Sequence, residues 1–318
     1  MHPVLFEIFG LPISPYGLLI ACGLIVSVTI ARRRARRVGI PEDSVLDVVF
    51  WGVIAGFIGA RVAFIIVTWD HFVADPLGTI FSRQGFVFLG GLFAAIPVVL
   101  IVLRRWHVRF WPMADLLAPC LALAHAFGRT GCFFAGCCYG RPTSMPWGVH
   151  FPRLIDWSNG PVDLASVQIT DGVLLSHGEI VGHVTGSIAY IDQVLDPSCP
   201  IDWTSAHSLP IHPTQLYDVA IQITLFVVLT WLWRRRKFHG QVFIHYFWLY
   251  GLTRIILEFF RGDPGRGVWT DNLISTSQIL STLMVALAAA LWLQRRRLFA
   301  PADAPVMIGP AQEVDGDP

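Results

Sequence analysis

The sequence predicts an all-α, polytopic membrane protein of about seven transmembrane helices with a small β-containing external cap. The 318-residue chain is 54% hydrophobic and only 14% charged, whereas soluble domains carry about 25% charged residues. Apolar stretches of about 20 residues recur along the chain, and each is long enough to cross a hydrocarbon core of about 30 Å as a helix. Clusters of arginine alternate with these stretches, as is typical of multi-pass proteins.

The apolar stretches give the predicted spans, which are residues 14–31, 45–67, 86–103, 113–133, 212–233, 242–260 and 273–293. Basic clusters follow the first, third, fifth and seventh spans, at residues 32–37, 104–109, 234–237 and 295–297. Because basic loops stay on the cytoplasmic side, we expect the N-terminus outside and the C-terminus inside. The first span lacks the flanks of a cleaved signal peptide, so we expect it to be retained.

The predicted organisation follows from these spans: 1–140 for the first four helices, 141–211 for an external segment, 212–298 for the last three helices and 299–318 for a cytoplasmic tail. Short alternating runs such as Val167–Ile169 and Val173–Leu175 predict the β-containing cap within the external segment. Pro, Ala, Asp and Gly dominate the tail, which predicts disorder. Basic clusters beside spans suit anionic lipid headgroups, and we expect no nucleic-acid partner.

Three arginines, Arg61, Arg129 and Arg254, fall within or at the outer ends of predicted spans. An arginine at this depth costs about 2.5–3.5 kcal/mol on insertion scales, so a polar group must meet it there. One interpretation is an internal ion pair, because Glu258 follows Arg254 by one helical turn. The interpretation we favour is a shared pocket for an anionic phospholipid headgroup, because guanidinium groups bind phosphate oxygens in bidentate geometry.

Glycines and one histidine extend this prediction. Gly52 and Gly56 have the small-xxx-small spacing of closely packed helices. The adjacent pair Gly90-Gly91 is expected to loosen the third span and to admit a headgroup. His125 lies four residues before Arg129, and low dielectric together with the arginine favours its neutral form. It is therefore a candidate base, with a packed polar contact as the equal alternative.

The six cysteines fall into two groups. Cys22 and Cys120 lie in apolar spans and are expected to pack as small hydrophobes. The outer group comprises Cys132, Cys137, Cys138 and Cys199. In an oxidising periplasm we expect a disulfide among these four. Zinc is a weaker alternative, because neither the spacing nor a paired histidine supports it. A reactive thiol at Cys132 or in the Cys137–Cys138 pair is the third interpretation.

Several motifs occur in a fixed order along the chain. They are Tyr16-Gly17, Gly59-Ala60-Arg61, Gly90-Gly91-Leu92, Gly128-Arg129-x-Gly131 with Gly136 and Gly140, His212-Pro213-Thr214-Gln215-Leu216-Tyr217-Asp218, and Tyr250-x-x-x-Arg254-x-x-x-Glu258-Phe259-Phe260-Arg261. Together they resemble the bacterial prolipoprotein diacylglyceryl transferase family, from about Pro3 to Leu293.

The resemblance implies a multi-pass enzyme of the bacterial cytoplasmic (inner) membrane, with its active site toward the outer leaflet. Such an enzyme moves the diacylglyceryl group of phosphatidylglycerol onto the lipobox cysteine thiol of a prolipoprotein, forms a thioether and releases glycerol phosphate. No metal or organic cofactor is implied. The predicted catalytic residues are Arg129, Arg254, His125 and Cys132. The predicted substrate-binding residues are Tyr16, Arg61, Gly90, Gly91, Gly131, Gly140, His212, Gln215, Tyr217, Tyr250, Glu258 and Arg261.

The chain departs from the family pattern at several polar positions. Family members have a histidine before the Gly-Gly pair, where this chain has Leu89. The family signature reads Gly-Arg-x-Gly-Asn-Phe-x-Asn-Gly-Glu, and its polar positions are Cys132, Ala135 and Cys137 here. Two alternatives therefore stay open beside diacylglyceryl transfer. One is a paralogous membrane enzyme with another acceptor or with cysteine redox chemistry, and the other is a non-catalytic phospholipid-binding protein.

Overall fold

A computed structural model describes most of the chain. The described residues are 6–8, 11–81, 86–157, 168–170, 173–176, 179–196, 198–263, 268–269 and 274–308. Val167, part of one predicted alternating run, lies outside them, and so do residues 309–318 of the predicted tail.

Helices dominate the described residues, and one lies in each predicted span. In chain order they are α1 (Pro15–Arg37), α2 (Glu42–Val67), α3 (Trp69–Ala74), α4 (Pro76–Phe81), α5 (Phe88–Arg105), α6 (Phe110–Ala135), α7 (Ile188–Leu195), α8 (Thr214–Arg234), α9 (Gln241–Glu258), α10 (Thr276–Leu293) and α11 (Arg295–Leu298). Within the described part of the chain, five of them, α1, α2, α6, α8 and α10, are long and apolar enough to cross a membrane. The protein is thus a multi-pass membrane protein.

Short strands lie between the helices. They are β1 (Phe6–Ile8), β2 (Leu11–Ile13), β3 (Arg153–Trp157), β4 (Gln168–Thr170), β5 (Val173–Ser176), β6 (Glu179–Gly186), β7 (Val268–Trp269) and β8 (Ile274–Ser275). Strands β3 to β6 form an antiparallel sheet in the order β3-β6-β5-β4, within the segment where alternation predicted strands. The β1–β2 and β7–β8 hairpins are not indicated by the sequence pattern.

The chain forms two compact units. The first comprises residues 1–25, 121–230 and 244–294, and the second comprises 26–120, 231–243 and 295–318. Four of the five unit boundaries fall within helices α1, α6, α8 and α9, and the fifth falls between α10 and α11.

In the second unit, glycines bring α2 and α5 into close contact. A Cβ on Gly59 would lie 2.6 Å from the carbonyl oxygen of Gly90, and a Cβ on Gly91 would lie 2.8 Å from that of Gly56. Helix α5 runs continuously through Gly90 and Gly91. These two glycines therefore pack against a neighbouring helix, and the loosened helix that the pair predicted is not present.

Residues 299–308 of the second unit are ordered, although composition predicts disorder for this part of the tail. Phe299 is buried and packs on the Trp111 ring at a centroid distance of 4.6 Å. The amide of Arg109 donates to the carbonyl of Val306 at 3.0 Å. Residues 299–308 are thus held by apolar burial and main-chain hydrogen bonds, which composition alone does not reveal.

Candidate active site

The first unit places Arg129 beside two polar side chains. Arg129 lies near the end of α6, and its Nε atom is 2.8 Å from Oδ2 of Asp218 on α8. The same Nε donates a hydrogen bond to Nε2 of His125 at 3.1 Å. Asp218 is buried and accepts a further hydrogen bond at Oδ1 from the Gln222 amide, at 3.0 Å. Arg129 is therefore anchored by a carboxylate and an imidazole through one nitrogen.

This geometry defines the state of His125. An arginine Nε–H can only donate, so the His125 nitrogen that faces it is an acceptor and the ring is neutral. Its accepting nitrogen is already occupied by Arg129. The terminal nitrogens of Arg129 have no protein partner among the described residues. The guanidinium is therefore held at its base and keeps four N–H donors for a ligand.

Arg254 on α9 is held in a similar way. Its Nη2 is 3.1 Å from Oε2 of Glu258, the ion pair that the i,i+4 spacing indicates. Its Nε donates to Oγ of Ser277 at 2.7 Å. A capping box between Ser275 and Gln278 begins α10 and so fixes the position of Ser277. Within the described residues, Nη1 of Arg254 is buried and has no hydrogen-bond partner.

A third arginine completes a cationic cluster. Arg261 lies just beyond α9, and Asp263 accepts a hydrogen bond from its Nε at 2.8 Å. The charges of Arg129 and Arg261 both act on Arg254, so both residues lie near it. We call these three residues the arginine cluster. Each guanidinium group of the cluster is paired with a carboxylate, and guanidinium groups match phosphate oxygens in geometry and charge.

A tight turn follows α6 and gathers three cysteines. Gly136 and Cys138 both have positive φ, +68° and +56°, so the chain reverses just after Ala135. The Sγ atoms of Cys132, Cys137 and Cys138 lie within 4.8 Å of one another. All six cysteines are among the described residues, and none of them is in a disulfide. The predicted disulfide is therefore not present.

Cys138 lies where hydrogen bonds and positive charge act on its thiol. Hydrogen bonds from Cys132 and Cys137 lower the pKa of the Cys138 thiol well below its usual range. The positive charges of Arg129 and Arg261 lower it further. Positive charge and hydrogen bonding thus favour a thiolate at Cys138 over the neutral thiol.

Side chains of the first turn of α8 donate hydrogen bonds to the turn that carries Cys137 and Cys138. Gln215 donates from Nε2 to the Cys137 carbonyl at 2.8 Å, and Thr214 donates from Oγ1 to the Cys138 carbonyl at 2.9 Å. Gln215 was predicted to bind substrate; in the structure it is buried and holds the main chain.

Aromatic and histidine side chains lie beside this turn. His212 Nδ1 is 3.1 Å from the Tyr217 hydroxyl, which accepts a hydrogen bond from the exposed Trp147 indole at 2.7 Å. The Tyr250 ring lies 5.6 Å from the His125 ring. The structure thus brings His212 together with Tyr217, and Tyr250 together with His125.

Two motif glycines allow close approach of other chain segments. A Cβ on Gly131 would lie 2.9 Å from Cδ2 and 3.1 Å from Cα of Tyr16. A Cβ on Gly140 would lie 2.4 Å from the His212 carbonyl oxygen, which accepts the Gly140 amide at 3.1 Å. Gly131 and Gly140 therefore determine the packing around the arginine cluster.

Arg61 belongs to the second unit, where its guanidinium donates to main-chain carbonyls. Nη2 contacts the carbonyl oxygens of Thr79 and Ile80, the latter at 2.9 Å. Its guanidinium also lies over the Phe64 ring, 5.4 Å from the centroid. Part of the hydrogen-bonding capacity of Arg61 is therefore used within its own unit.

Comparison with known proteins decides the family. The family described as prolipoprotein diacylglyceryl transferase matches residues 3–294. The chain belongs to this family. A phosphatidylglycerol–prolipoprotein diacylglyceryl transferase from Clostridium tetani is 31% identical over 285 residues, which cover 90% of this chain and 94% of the relative.

Two further relatives support the assignment. One from Clostridium perfringens, named phosphatidylglycerol–prolipoprotein diacylglyceryl transferase 2, is 30% identical and covers 90% of this chain and 92% of the relative. Another transferase of that name, from Finegoldia magna, is 26% identical and covers 95% and 99% of the two chains. The resemblance that the motifs predicted is confirmed.

Two residues of the candidate site, Asp218 and Ser277, were not predicted from the sequence. Asp218 ends the His212–Asp218 motif but was not assigned a role, and it is the ion-pair partner of Arg129. Ser277, which binds Arg254, carries no sequence signal beyond its place near a helix start. The charge of Asp218 within an apolar span was the signal that could have identified it.

Proposed function

We propose that this chain transfers the diacylglyceryl group of phosphatidylglycerol to the lipobox cysteine thiol of a prolipoprotein, forming a thioether and releasing glycerol phosphate. Membership of the transferase family and the names of its relatives support this activity. The observation that carries it in the structure is a pair of arginines, of which Arg254 is buried and Arg129 is half-buried. Each is anchored by a carboxylate, and each keeps N–H donors without a protein partner among the described residues.

The arginines are suited to the departure of a phosphate. When the carbon–oxygen bond of the lipid breaks, negative charge develops on the phosphate oxygen of the leaving glycerol phosphate. Preorganised donors aimed at that oxygen stabilise the charge more in the transition state than in the substrate. Asp218 and Glu258 act as positioning residues, because they hold the guanidinium groups without using all their donors.

The membrane arrangement is part of the proposal. Helices α5 and α9 cross the membrane as well as the five apolar spans, which gives seven crossings with the N-terminus outside. The arginine cluster then lies toward the outer leaflet of the bacterial inner membrane, under the external segment 141–211. Trp147, exposed beside Tyr217, is suited to contact a peptide that arrives from outside.

Reconstituted transfer tests the proposal. Purified protein in vesicles of phosphatidylglycerol receives a lipobox peptide with one cysteine, and mass spectrometry reads the diacylglyceryl increment on the peptide. We expect the increment with the unaltered chain and a loss of about 10²–10³-fold in rate with Arg129→Ala, as for removal of a transition-state donor.

Arg105→Ala is the matched control, since Arg105 is an exposed arginine at the end of α5. It should transfer at the normal rate. Folded protein that binds phosphatidylglycerol but gives no increment would contradict the proposal and favour a non-catalytic lipid-binding protein.

A further inference from the structure

The three cysteines at the end of α6 form a cluster that takes no part in phosphate departure from the lipid. Cys132 is buried, Cys137 and Cys138 are half-buried, and their sulfurs lie within 4.8 Å of one another. A disulfide would join two of these sulfurs and leave the third unpaired. A trio of convergent thiols is a ligand set typical of a thiophilic metal ion.

The backbone holds the trio in place. Cys138 has a left-handed φ of +56°, which is uncommon for a residue with a side chain and costs free energy. The amide of Cys137 donates to the Cys132 carbonyl at 3.2 Å, which closes the turn. Buried Gln215 and Thr214 bind the carbonyls of Cys137 and Cys138. The turn is thus fixed by a hydrogen bond of its own main chain and by two side chains of α8. A preorganised ligand set requires such support.

The spacing of the sulfurs suits zinc. Zinc–sulfur bonds are about 2.3 Å long, so tetrahedral geometry separates ligand sulfurs by about 3.8 Å. Sulfurs already within 4.8 Å need only a small closure to reach that separation. Three thiolates on Zn²⁺ carry one net negative charge. The positive charges of Arg129 and Arg261, each paired with an aspartate, act at Cys138 in the stabilising direction.

We propose that Cys132, Cys137 and Cys138 bind a zinc ion whose fourth coordination position takes the thiol of the acceptor cysteine. The role of the fourth position rests on the proposed transferase function. Three protein ligands leave one position open on a tetrahedral zinc ion. Cys132 follows Arg129 by three residues on α6, so the two lie on neighbouring positions of one helix face. The acceptor sulfur is thereby placed beside the arginine cluster.

The step balances without any oxidant or reductant. The acceptor thiol binds zinc as a thiolate and its proton passes to water, because a coordinated thiol is deprotonated at neutral pH. The thiolate sulfur attacks the glyceryl carbon that carries the phosphate ester, and a carbon–sulfur bond forms. The carbon–oxygen bond breaks, and its electron pair leaves on glycerol phosphate. Zinc keeps its oxidation state throughout.

This chemistry explains how the chain functions with Leu89 where the family pattern has a histidine. A metal-bound thiol needs no protein base at that position. Cys132 and Cys137 occupy two of the positions at which the family signature has other polar residues. The change of residue type therefore coincides with the appearance of a complete three-thiol set.

Metal analysis of the full-length protein in detergent gives the first test. We expect about one zinc per chain in the unaltered protein, as for a single site of three cysteine ligands. Cys199→Ser, a thiol outside the trio, should keep the metal. Cys132→Ser, Cys137→Ser and Cys138→Ser should each lose most of it. Chains without zinc, chains that bind copper instead, or a triple variant that keeps zinc would overturn the site.

Cobalt replacement tests the fourth position without relying on activity. Thiolate-to-cobalt absorption in the near ultraviolet should rise by about a third when a lipobox peptide adds a fourth thiolate to three. A peptide with serine in place of cysteine should leave the spectrum unchanged. Equal spectra with the two peptides would overturn the role of the fourth position.

Transfer by metal-free protein separates this inference from the proposed function. We expect removal of zinc to slow transfer by about 10²-fold or more, as for loss of thiol activation, and added zinc to restore it. Full-rate transfer without zinc would overturn the inference and leave the proposed function standing. Zinc and peptide-thiol binding without thioether formation would support the site and contradict the proposed function.

Discussion

Arg129 illustrates how a half-buried charge is kept available for a ligand. Its Nε binds Asp218 and His125, while its terminal nitrogens have no protein partner in the described part of the chain. The carboxylate offsets the desolvation of the guanidinium, and the imidazole accepts the same N–H. An arginine held in this way can meet a phosphate without first breaking its ion pair.

A double-mutant cycle tests the pair. Arg129→Gln or Asp218→Asn alone leaves one buried charge uncompensated, which costs about 3–5 kcal/mol. The two changes together remove both charges, so we expect the double variant to lose less stability than the two single losses combined. Melting temperatures in detergent measure this, and strictly additive losses would show that the two charges do not interact.

At the residue scale, the sequence predicts a contact where spacing along one helix carries the signal. The i,i+4 spacing indicates the Arg254–Glu258 pair that the structure contains, whereas the roles of Arg129 and Arg254 stay predictions. The partnership of Arg129 with Asp218 was not predictable, because it joins two helices far apart in sequence and depends on how they pack. The predicted disulfide illustrates the same limit, since composition indicates a compartment but not the geometry of the sulfurs.

At the scale of single elements, α6 carries most of the site and its glycines fit their neighbours. Gly131 packs against Tyr16, whereas a Cβ on Gly128 would meet no atom within 4 Å. Both glycines belong to the same sequence motif. Their surroundings in the structure differ, because only Gly131 faces another segment of the chain.

Alanine at the two positions should therefore have opposite effects. Gly131→Ala forces the Tyr16 segment to shift, and we expect it to destabilise the protein by about 1–3 kcal/mol, as overpacking does. Gly128→Ala should be neutral or stabilising by up to about 1 kcal/mol, because alanine loses less entropy than glycine in a helix. Thermal unfolding in detergent compares them, and equal losses would mean that contact with Tyr16 is not the cause.

The positions of the helices were predicted from the sequence, whereas the packing of the glycine pair and the pairing of the strands were not. Apolar runs of helical length end where arginines or prolines begin, so the helix positions follow from composition. Gly90 and Gly91 were expected to open α5, but the contact with Gly56 and Gly59 closes that face. Strands β3 and β6 pair across distant residues, which local alternation does not specify.

For the whole molecule, the number of crossings decides which side each loop faces. Five apolar helices and seven predicted spans both leave the two termini on opposite sides. The two arrangements place some loops on different sides of the membrane. With only the five crossings, the basic clusters at 104–109 and 234–237 would lie outside. Because arginine-rich loops stay in the cytoplasm, the clusters favour seven crossings, with α5 and α9 included.

Labelling at Met145 distinguishes the two arrangements. Met145 is exposed in the segment after α6, which seven crossings place outside and five place inside. In intact cells, we expect a membrane-impermeant maleimide to label Met145→Cys above the level of the parent chain. Asp303→Cys, exposed beyond α11 and inside in both arrangements, should react only after permeabilisation. Labelling of Met145→Cys only in permeabilised cells would exclude seven crossings, and it would place segment 141–211 on the side where an exported prolipoprotein is not available.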